Sequence, residues 1–404
     1  MTKPRIFINM HYMALGGAER ALLGLLNALD PERVDVDLFL NQHTGEFMPL
    51  IPKHVNLLPE RKGYNAIERP MKDILKEGQF GVLYGRLKAK WQHGRYHKSL
   101  KEQYMSFDSS VFQFVADCVD PHLPPLGGIE GGQEPYDMAI SFLQPHNIVL
   151  NKVKAKKKIA WIHTDYSMVH FNSARELPVW SRFDNIVSIS PDCTRSFLKT
   201  FPSLKNKIVE IENILSSSFV HQQAEASTVP EMERFDGIKF LSVGRICHAK
   251  NYDNVPYIAQ ALKQMGLHFK WFIVGPGDHS SIDETIARTN TNDVVQFLGP
   301  KDNPYPYMNA CDIYVQPSRY EGKSVTVREA QILCKPVVIT AYPTAKSQII
   351  DGTDGVIVPM DNEECARGIA GVIADKVLQE RIINYVSAHD YSNEHEVDKI
   401  YELL

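Results

Sequence analysis

Short runs of β-branched and aromatic residues alternate with segments whose apolar positions recur every three or four residues along almost the whole chain. The first kind suits strands and the second suits helices, so the alternation predicts βαβ units built on parallel sheets. In the first half the predicted strands are Arg5 to Asn9, Val34 to Leu40, Val55 to Leu58, Asp137 to Phe142, Lys158 to Ile162 and Asn185 to Ile189. The pattern restarts in the second half with Ile238 to Val243, Phe269 to Val274, Val294 to Leu298, Asp312 to Gln316, Pro336 to Thr340 and Gly355 to Val358. Between the two sets Ser216 to Asp236 is polar and aperiodic, which predicts a linker. Residues 60–135 form a helical and loop insertion, within which Gly127 to Glu134 reads as a flexible loop. The expected class is α/β: two doubly wound, Rossmann-like domains facing each other across a cleft, with ligands at the carboxyl ends of the strands. The boundaries follow as 1–215, 216–388, and a terminal segment 389–404 whose helix, Glu394 to Leu404, packs back towards the first domain.

Composition narrows the function more than the fold. With 404 residues and 44% hydrophobic positions the chain has material for two or three domains. A net charge of -4 excludes a protein that coats nucleic acid, because phosphate neutralisation needs a basic surface. The charge is uneven, with 27 Lys and Arg against 23 Asp and Glu up to residue 215, and 17 against 25 beyond it. No run of about 18 uncharged apolar residues occurs, and Met1 to Met10 has no small-residue cleavage site, so a cytoplasmic chain without a spanning helix is expected. The six cysteines are scattered with no C-x-x-C pair, which predicts reduced thiols and no metal centre. Tyr84 to Lys101 carries six cations and no acid among Leu87, Trp91, Tyr96 and Leu100. As a basic amphipathic segment it fits an anionic membrane surface, which would make the protein peripheral at the inner face; the alternative is a solvated helix packed on its own domain.

Three strand-to-helix junctions carry candidate chemistry. The first strand ends in a loop containing Gly16 and Gly17, where backbone N–H groups can approach a phosphate or a sugar. Its spacing is not G-x-G-x-x-G, so the dinucleotide fingerprint is absent. Gly244-Arg245 follows a strand and Lys250-Asn251 opens the next helix, which lets two cations converge on a diphosphate. The third junction runs from Gln316 through Glu321, Gly322, Lys323, Ser324 and Val325 to Glu329. Pro317 stands where a Walker loop needs glycine, so the Gly322-Lys323-Ser324 triplet is not a P-loop. Glu321 and Glu329, eight residues apart, can serve two hydroxyl-bearing parts of one ligand, while the amides of Ser324 and Val325 can hold an anion. Asp35-Val-Asp37 lies inside an alternating strand, where both acids are expected to face solvent rather than a metal.

These junctions together resemble the retaining glycosyltransferases of the GT-B fold, family 4 type, over nearly the whole chain. The resemblance also takes in His163, Ile211 to Asn213, Ser347 to Gly352 and Gly355 to Val358. It implies a metal-independent hexosyltransferase with no cofactor, using a UDP-, GDP- or ADP-sugar as donor and a glycan or lipid-linked saccharide as acceptor, as in cell-surface polysaccharide biosynthesis. It further implies that Arg245 and Lys250 hold the donor diphosphate, Glu329 the ribose and Glu321 the transferred sugar, with the base against the backbone of Leu298 and near Gly275 and Gly277. His163 would touch the sugar; read alone, it is a general base, a sugar contact or, as a lone histidine usually is, a satisfied strand-end histidine. Lys323 and Ser324 depart from the family's usual apolar residue and glycine. Gln144, His146 and Asp165 are the acceptor-side candidates. An epimerase on the same fold and a non-catalytic partner subunit are the competing readings, and a nicotinamide dehydrogenase lacks its fingerprint.

Overall fold

The computed structural model describes residues 3–14, 16–99, 107–126, 135–164, 166–167, 169–321 and 324–404. The Gly127 to Glu134 loop lies outside the described residues. The chain forms two compact units, Met1–Ile214 with Glu394–Leu404, and Leu215–Asn393.

In the first unit the strands are β1 (Arg5–Met10), β2 (Asp35–Leu40), β3 (Asn56–Leu57), β4 (Phe107–Asp108), β5 (Tyr136–Ser141), β6 (Ala155–Ile162), β7 (Val169–His170), β8 (Asn185–Ser188) and β9 (Ile208–Glu210). Seven of them make one parallel sheet in the order β3-β2-β1-β5-β6-β8-β9, and β4 pairs with β7 alone. Ile6-Phe7-Ile8 and Leu38-Phe39-Leu40 are buried at every position, as central strands covered on both faces must be. That cover explains why Asp37, expected to face solvent, is buried. It accepts hydrogen bonds from Arg5 Nη2 at 3.0 Å, Tyr136 Oη at 2.7 Å and Asn56 Nδ2 at 2.6 Å, whereas Asp35 at the strand's start is exposed. Three-residue β9 and two-residue β4 and β7 are too short for periodicity to announce.

The insertion contributes helices Met71–Lys76, Phe80–Ser99 and Ser110–Val119. Phe80–Ser99 is apolar on two opposite sides rather than amphipathic in the simple sense. Val82, Gly85 and Ala89 are buried. A Cβ on Gly85 would stand 2.6 Å from the Cys118 carbonyl oxygen, so glycine there allows the two helices to touch. On the other side Phe80, Tyr84, Leu87 and Trp91 are exposed at positions i, i+4, i+7 and i+11.

The second unit holds β10 (Ile238–Val243), β11 (Phe269–Val274), β12 (Val295–Gly299), β13 (Ile313–Gln316), β14 (Val337–Thr340) and β15 (Val356–Val358), all parallel, in the order β12-β11-β10-β13-β14-β15. Phe240, Trp271, Ile273, Ile313 and Val338 centre its core. The Ser216 to Asp236 segment, expected as a linker, is folded into this unit as helices Ser217–Ala224 and Pro230–Glu233. Ser216 Oγ caps the first by accepting from the Phe219 N–H, and Phe219, Val220, Val229 and Met232 are buried. Helices of eight and four residues with so few buried apolar positions are too short to show a period.

Glu394–Leu404 belongs to the first unit as a 3₁₀ turn, Glu394–Val397, and a short helix, Asp398–Glu402. Lys157 Nζ donates to the Leu403 carbonyl at 2.5 Å, and the Arg33 guanidinium lies 3.5 Å from the centroid of the Tyr401 ring. Strand order reverses between β1 and β5 in one unit and between β10 and β13 in the other, and open parallel sheets bind ligands at such points.

Candidate functional site

At the second unit's reversal point the β10 and β13 loops are fastened together. Asn251, buried and at φ +59°, donates from Nδ2 to the Pro317 carbonyl at 2.8 Å. Arg319 forks onto Asp253 at 2.8 and 2.6 Å, which holds the Asp253 carboxyl below its ordinary range. Lys250 therefore does not open a helix. It ends a 3₁₀ turn, His248–Lys250, and the helix proper begins at Val255 after the left-handed turn at Asn251. That turn brings Lys250 Nζ to 2.6 Å from Glu321 Oε1. The same oxygen accepts from Gln316 Nε2 at 2.9 Å and Ser318 Oγ at 2.6 Å. Lys250 and Glu321, assigned to different parts of a ligand, are thus joined in one network. Arg245 is exposed, and among the described residues nothing pairs with its guanidinium.

Gly275 and Gly277 have a packing role. At Gly275, with φ +153°, a Cβ would fall 2.0 Å from the Gly244 carbonyl oxygen; at Gly277, with φ +136°, it would fall 2.7 Å from Ile246 Cβ. Gly244 N–H donates to the Val274 carbonyl, Ile246 N–H to that of Pro276, and Gly275 N–H to that of Gly299, the residue after half-buried Leu298. Tyr252 Oη, fully buried beside Gly244, has no hydrogen-bond partner among the described residues, and burial together with Glu321 raises its pKa.

Val325–Ile332 is the helix after Glu321. Its expected anion-binding amide at Ser324 is already engaged, donating to Gln348 Oε1 at 3.0 Å while Gln348 Nε2 donates back to the Ser324 carbonyl at 2.6 Å. Val325 is exposed at the helix start. Glu329 is fully buried and accepts from Tyr305 Oη at 2.7 Å; Phe219 packs edge-on against that tyrosine at 6.1 Å. The helix Ser217–Ala224 thereby supports the carboxylate. Gly322 and Lys323 lie outside the described residues.

At the first unit's reversal point Gly16 precedes the helix Gly17–Ala28, and Glu19 folds its carboxylate over Gly16. Burial raises the Glu19 carboxyl's pKa, against the lowering effect of a backbone hydrogen bond and of His11. Gln144, His146 and His163 meet in a cavity of about 210 Å³ with His11, Trp161 and Trp180. His146 shares a 2.8 Å hydrogen bond between Nδ1 and Ser141 Oγ, and burial pushes it down to about 3. His163 lies 4.5 Å from the Phe142 ring and parallel to Trp161; burial pushes it down to about 3 against the opposing effect of the Phe142 carbonyl. Gln144 Nε2 donates to Glu176 Oε1 at 3.4 Å, and Glu176, raised by burial, also accepts from Tyr166 and Trp180. Asp165 lies outside the described residues. Sequence reasoning missed His11 and Glu68, and gave Gln316 and Gln348 no role of their own within the stretches that contain them; a histidine directly after the first strand was the available signal for the first of these.

Comparison with known proteins turns these sites into a family likeness. Residues 229–389 match the model of the glycosyl transferases group 1 family. Among curated relatives, the amylovoran biosynthesis glycosyltransferase AmsD of Erwinia amylovora is 24% identical over 209 residues, covering 50% of this chain and 56% of AmsD. The N-acetylgalactosamine-N,N'-diacetylbacillosaminyl-diphospho-undecaprenol 4-alpha-N-acetylgalactosaminyltransferase of Campylobacter jejuni is 29% identical over 149 residues, covering 36% of this chain and 40% of that one. The chain thus spans about half the length of the curated relatives it matches. Anabaena Alr3699/HepE, solved in complex with UDP and glucose, superposes with a TM-score of 0.62 at 16% identity over 99% of both chains. Its likeness, with the two parallel sheets, establishes the two-Rossmann GT-B fold.

Proposed function

We propose that the protein is a retaining, metal-independent glycosyltransferase that moves a hexose from a nucleoside-diphosphate sugar to a glycan or lipid-linked acceptor in surface polysaccharide assembly. The observation that carries this reading is the Lys250–Glu321 pair at the second unit's reversal point, with Arg245, exposed and unpaired among the described residues, in the same strand-to-helix loop as Lys250. Arg245 and Lys250 supply positive charge to the departing diphosphate, the main demand of the reaction. Glu321 accepts from the transferred sugar, and releasing Lys250 to the phosphate leaves Gln316 and Ser318 to hold it. Glu329 takes the ribose, which requires donor binding to open its buried surroundings, and Gln348 yields the Ser324 amide. Gly16 and Gly17, Gly244, Leu298, Gly322, Lys323 and Val325 complete the donor contacts; His163 touches the sugar, and Gln144, His146 and Asp165 serve the acceptor. Retention follows if the acceptor attacks from the leaving group's side and the phosphate oxygen receives its proton. The match at residues 229–389 favours this over an epimerase or a partner subunit, and the UDP and glucose of HepE support testing UDP-glucose first. Mixing the chain with UDP-, GDP- and ADP-sugars and saccharide acceptors, then reading product anomers by NMR, tests it: an α product from an α donor agrees, and an epimerised nucleotide sugar contradicts it.

We also propose that the Phe80–Ser99 helix rests on an anionic bilayer at the cytoplasmic face. Its exposed Phe80, Tyr84, Leu87 and Trp91 stripe is flanked by exposed Lys88, Lys90, Arg95 and Lys98, the combination that interfacial helices use. Leu100 and Lys101 lie outside the described residues. Replacing those four cations with Gln should cut sedimentation with phosphatidylserine vesicles about tenfold or more; unchanged sedimentation contradicts the membrane contact.

A further inference from the structure

Gln316 is the last residue of β13, a central strand, and is fully buried. Strand alternation sets it on one face with Tyr314, while Ile313 and Val315 belong to the apolar cluster on the other. An amide in that place costs hydration that a leucine of similar volume would not, unless its polar groups are bonded. Both of them are. Tyr314 Oη donates to Gln316 Oε1 at 2.8 Å, and Thr326 Oγ1 reaches the same oxygen at 3.5 Å. Gln316 Nε2 donates to Ser318 Oγ and to Glu321 Oε1, both at 2.9 Å.

The neighbours fix which way the amide faces. Lys250 Nζ, which only donates, lies 2.6 Å from Glu321 Oε1, so that oxygen accepts and the amide must turn its NH₂ towards it. Burial keeps Tyr314 protonated far above neutral pH, so its hydroxyl has a proton for Gln316 Oε1. Ser318 Oγ passes its own proton on to Glu321 Oε1 at 2.6 Å. Glu321 Oε1 therefore takes three donors. Its Oε2 bonds to none of the described residues, and the side chain is 13% exposed. One oxygen of the carboxyl is spent on the protein, and the other is left for a donor that a ligand brings.

We propose that Gln316 is a positioning residue: fixed by Tyr314, it holds Glu321 Oε1 so that Oε2 receives a hydroxyl of the transferred sugar, and it keeps that hold when Lys250 turns to the diphosphate. That the hydroxyl belongs to a nucleotide sugar rests on the transferase reading; the hold on Glu321 does not.

The test compares the native chain, Gln316→Leu and Gln316→Glu in transfer from UDP-, GDP- and ADP-glucose to saccharide acceptors, and in calorimetric affinity for those nucleotide sugars and for UDP, GDP and ADP. Gln316→Leu should bind the bare nucleotide as the native chain does and lower kcat/KM for the nucleotide sugar about tenfold, as the loss of one hydrogen bond to a carboxylate does. Gln316→Glu keeps the shape and the bond from Tyr314, but its introduced carboxyl donates to Glu321 only while it carries a proton. Relative to the native chain at the same pH, its kcat/KM should be about tenfold low at pH 8 and within about twofold at pH 5.5, because two buried carboxyls in contact share a proton. Lys250, Tyr252, Tyr314, Glu329 and Tyr342, the titratable groups around this pair, are common to both proteins. Recovery within one preparation is something a folding defect does not give. Native efficiency in Gln316→Leu, equal weakening of the bare nucleotide, or a deficit in Gln316→Glu that does not shrink as pH falls overturns the proposal. Nucleotide-sugar affinities that follow this pattern without transfer to any acceptor refute the transferase and keep the positioning role, and silence of the native chain towards every nucleotide and nucleotide sugar overturns both.

Discussion

At the second unit's reversal point most polar groups satisfy one another, with Lys250, Gln316 and Ser318 all donating to Glu321 and Gln348 closing on Ser324, while Arg245 and Tyr252 Oη stand outside that network. The first unit's reversal point is the opposite: ring nitrogens of His11, Trp161 and His163 are buried with no hydrogen-bond partner among the described residues. The difference concerns when the cost of order is met. A charged network that pairs with itself holds its shape before any ligand arrives and must exchange partners when one does. Buried nitrogens without partners between aromatic rings are held in place by packing and gain nothing from hydrogen bonding there.

Breaking the network should have the largest effect. Lys250→Ala should lower sugar transfer by about 10²- to 10³-fold, the usual cost of removing one preorganised donor, while Gln316 and Ser318 keep Glu321 in place. Single-turnover transfer measures this, and a native rate would remove Lys250 from the chemistry. Next comes the frame. Gly275→Ala forces a Cβ against the Gly244 carbonyl and should cost about 3 kcal/mol in urea unfolding, whereas Gly17→Ala, with nothing within 4 Å, should stay within about 0.5 kcal/mol. Equal effects would show that the two glycine loops are not built differently.

Acid sharpens the contrast from the cavity's side. His146 and His163 protonate near 6.5 when unfolded and near 3 in the native chain, so between those values the unfolded state binds more protons. Their contribution is therefore full above about pH 6.5 and is lost as pH falls, by about 1.4 kcal/mol per unit for each ring. Unfolding free energies from urea titrations at pH 7 and pH 5 should differ by about 2 kcal/mol less in His146→Gln than in the native chain. An unchanged difference would mean that His146 is not held neutral.

The same contrast explains what could be read from the sequence. Both parallel sheets announced themselves because short runs rich in β-branched and aromatic residues alternate with helical segments. The second unit's site was legible because Gly244 to Lys250 and Gln316 to Glu329 are two short local stretches. Their mutual contact was not, since it depends on the left-handed turn at Asn251 and on the grip of Arg319 on Asp253. The first unit's cavity draws on residues scattered from His11 to Trp180, and Glu68 reaches His11 across 57 positions. No spacing rule connects such residues. The paired helices Ser217–Ala224 and Pro230–Glu233 escaped notice for a different reason, being too short to show a period.

The central claim is that the second unit binds a nucleoside diphosphate through Arg245, whose side chain, exposed and unpaired among the described residues, can be removed without disturbing the fold. A thermal-shift series with UDP, GDP and ADP on the native chain and on Arg245→Ala tests it most directly. The account predicts equal melting temperatures without ligand, and stabilisation by about 2.7 kcal/mol when one nucleotide is present at about 100 times its dissociation constant, largely lost in the variant. No shift with any of the three, or the same shift in both proteins, would contradict it.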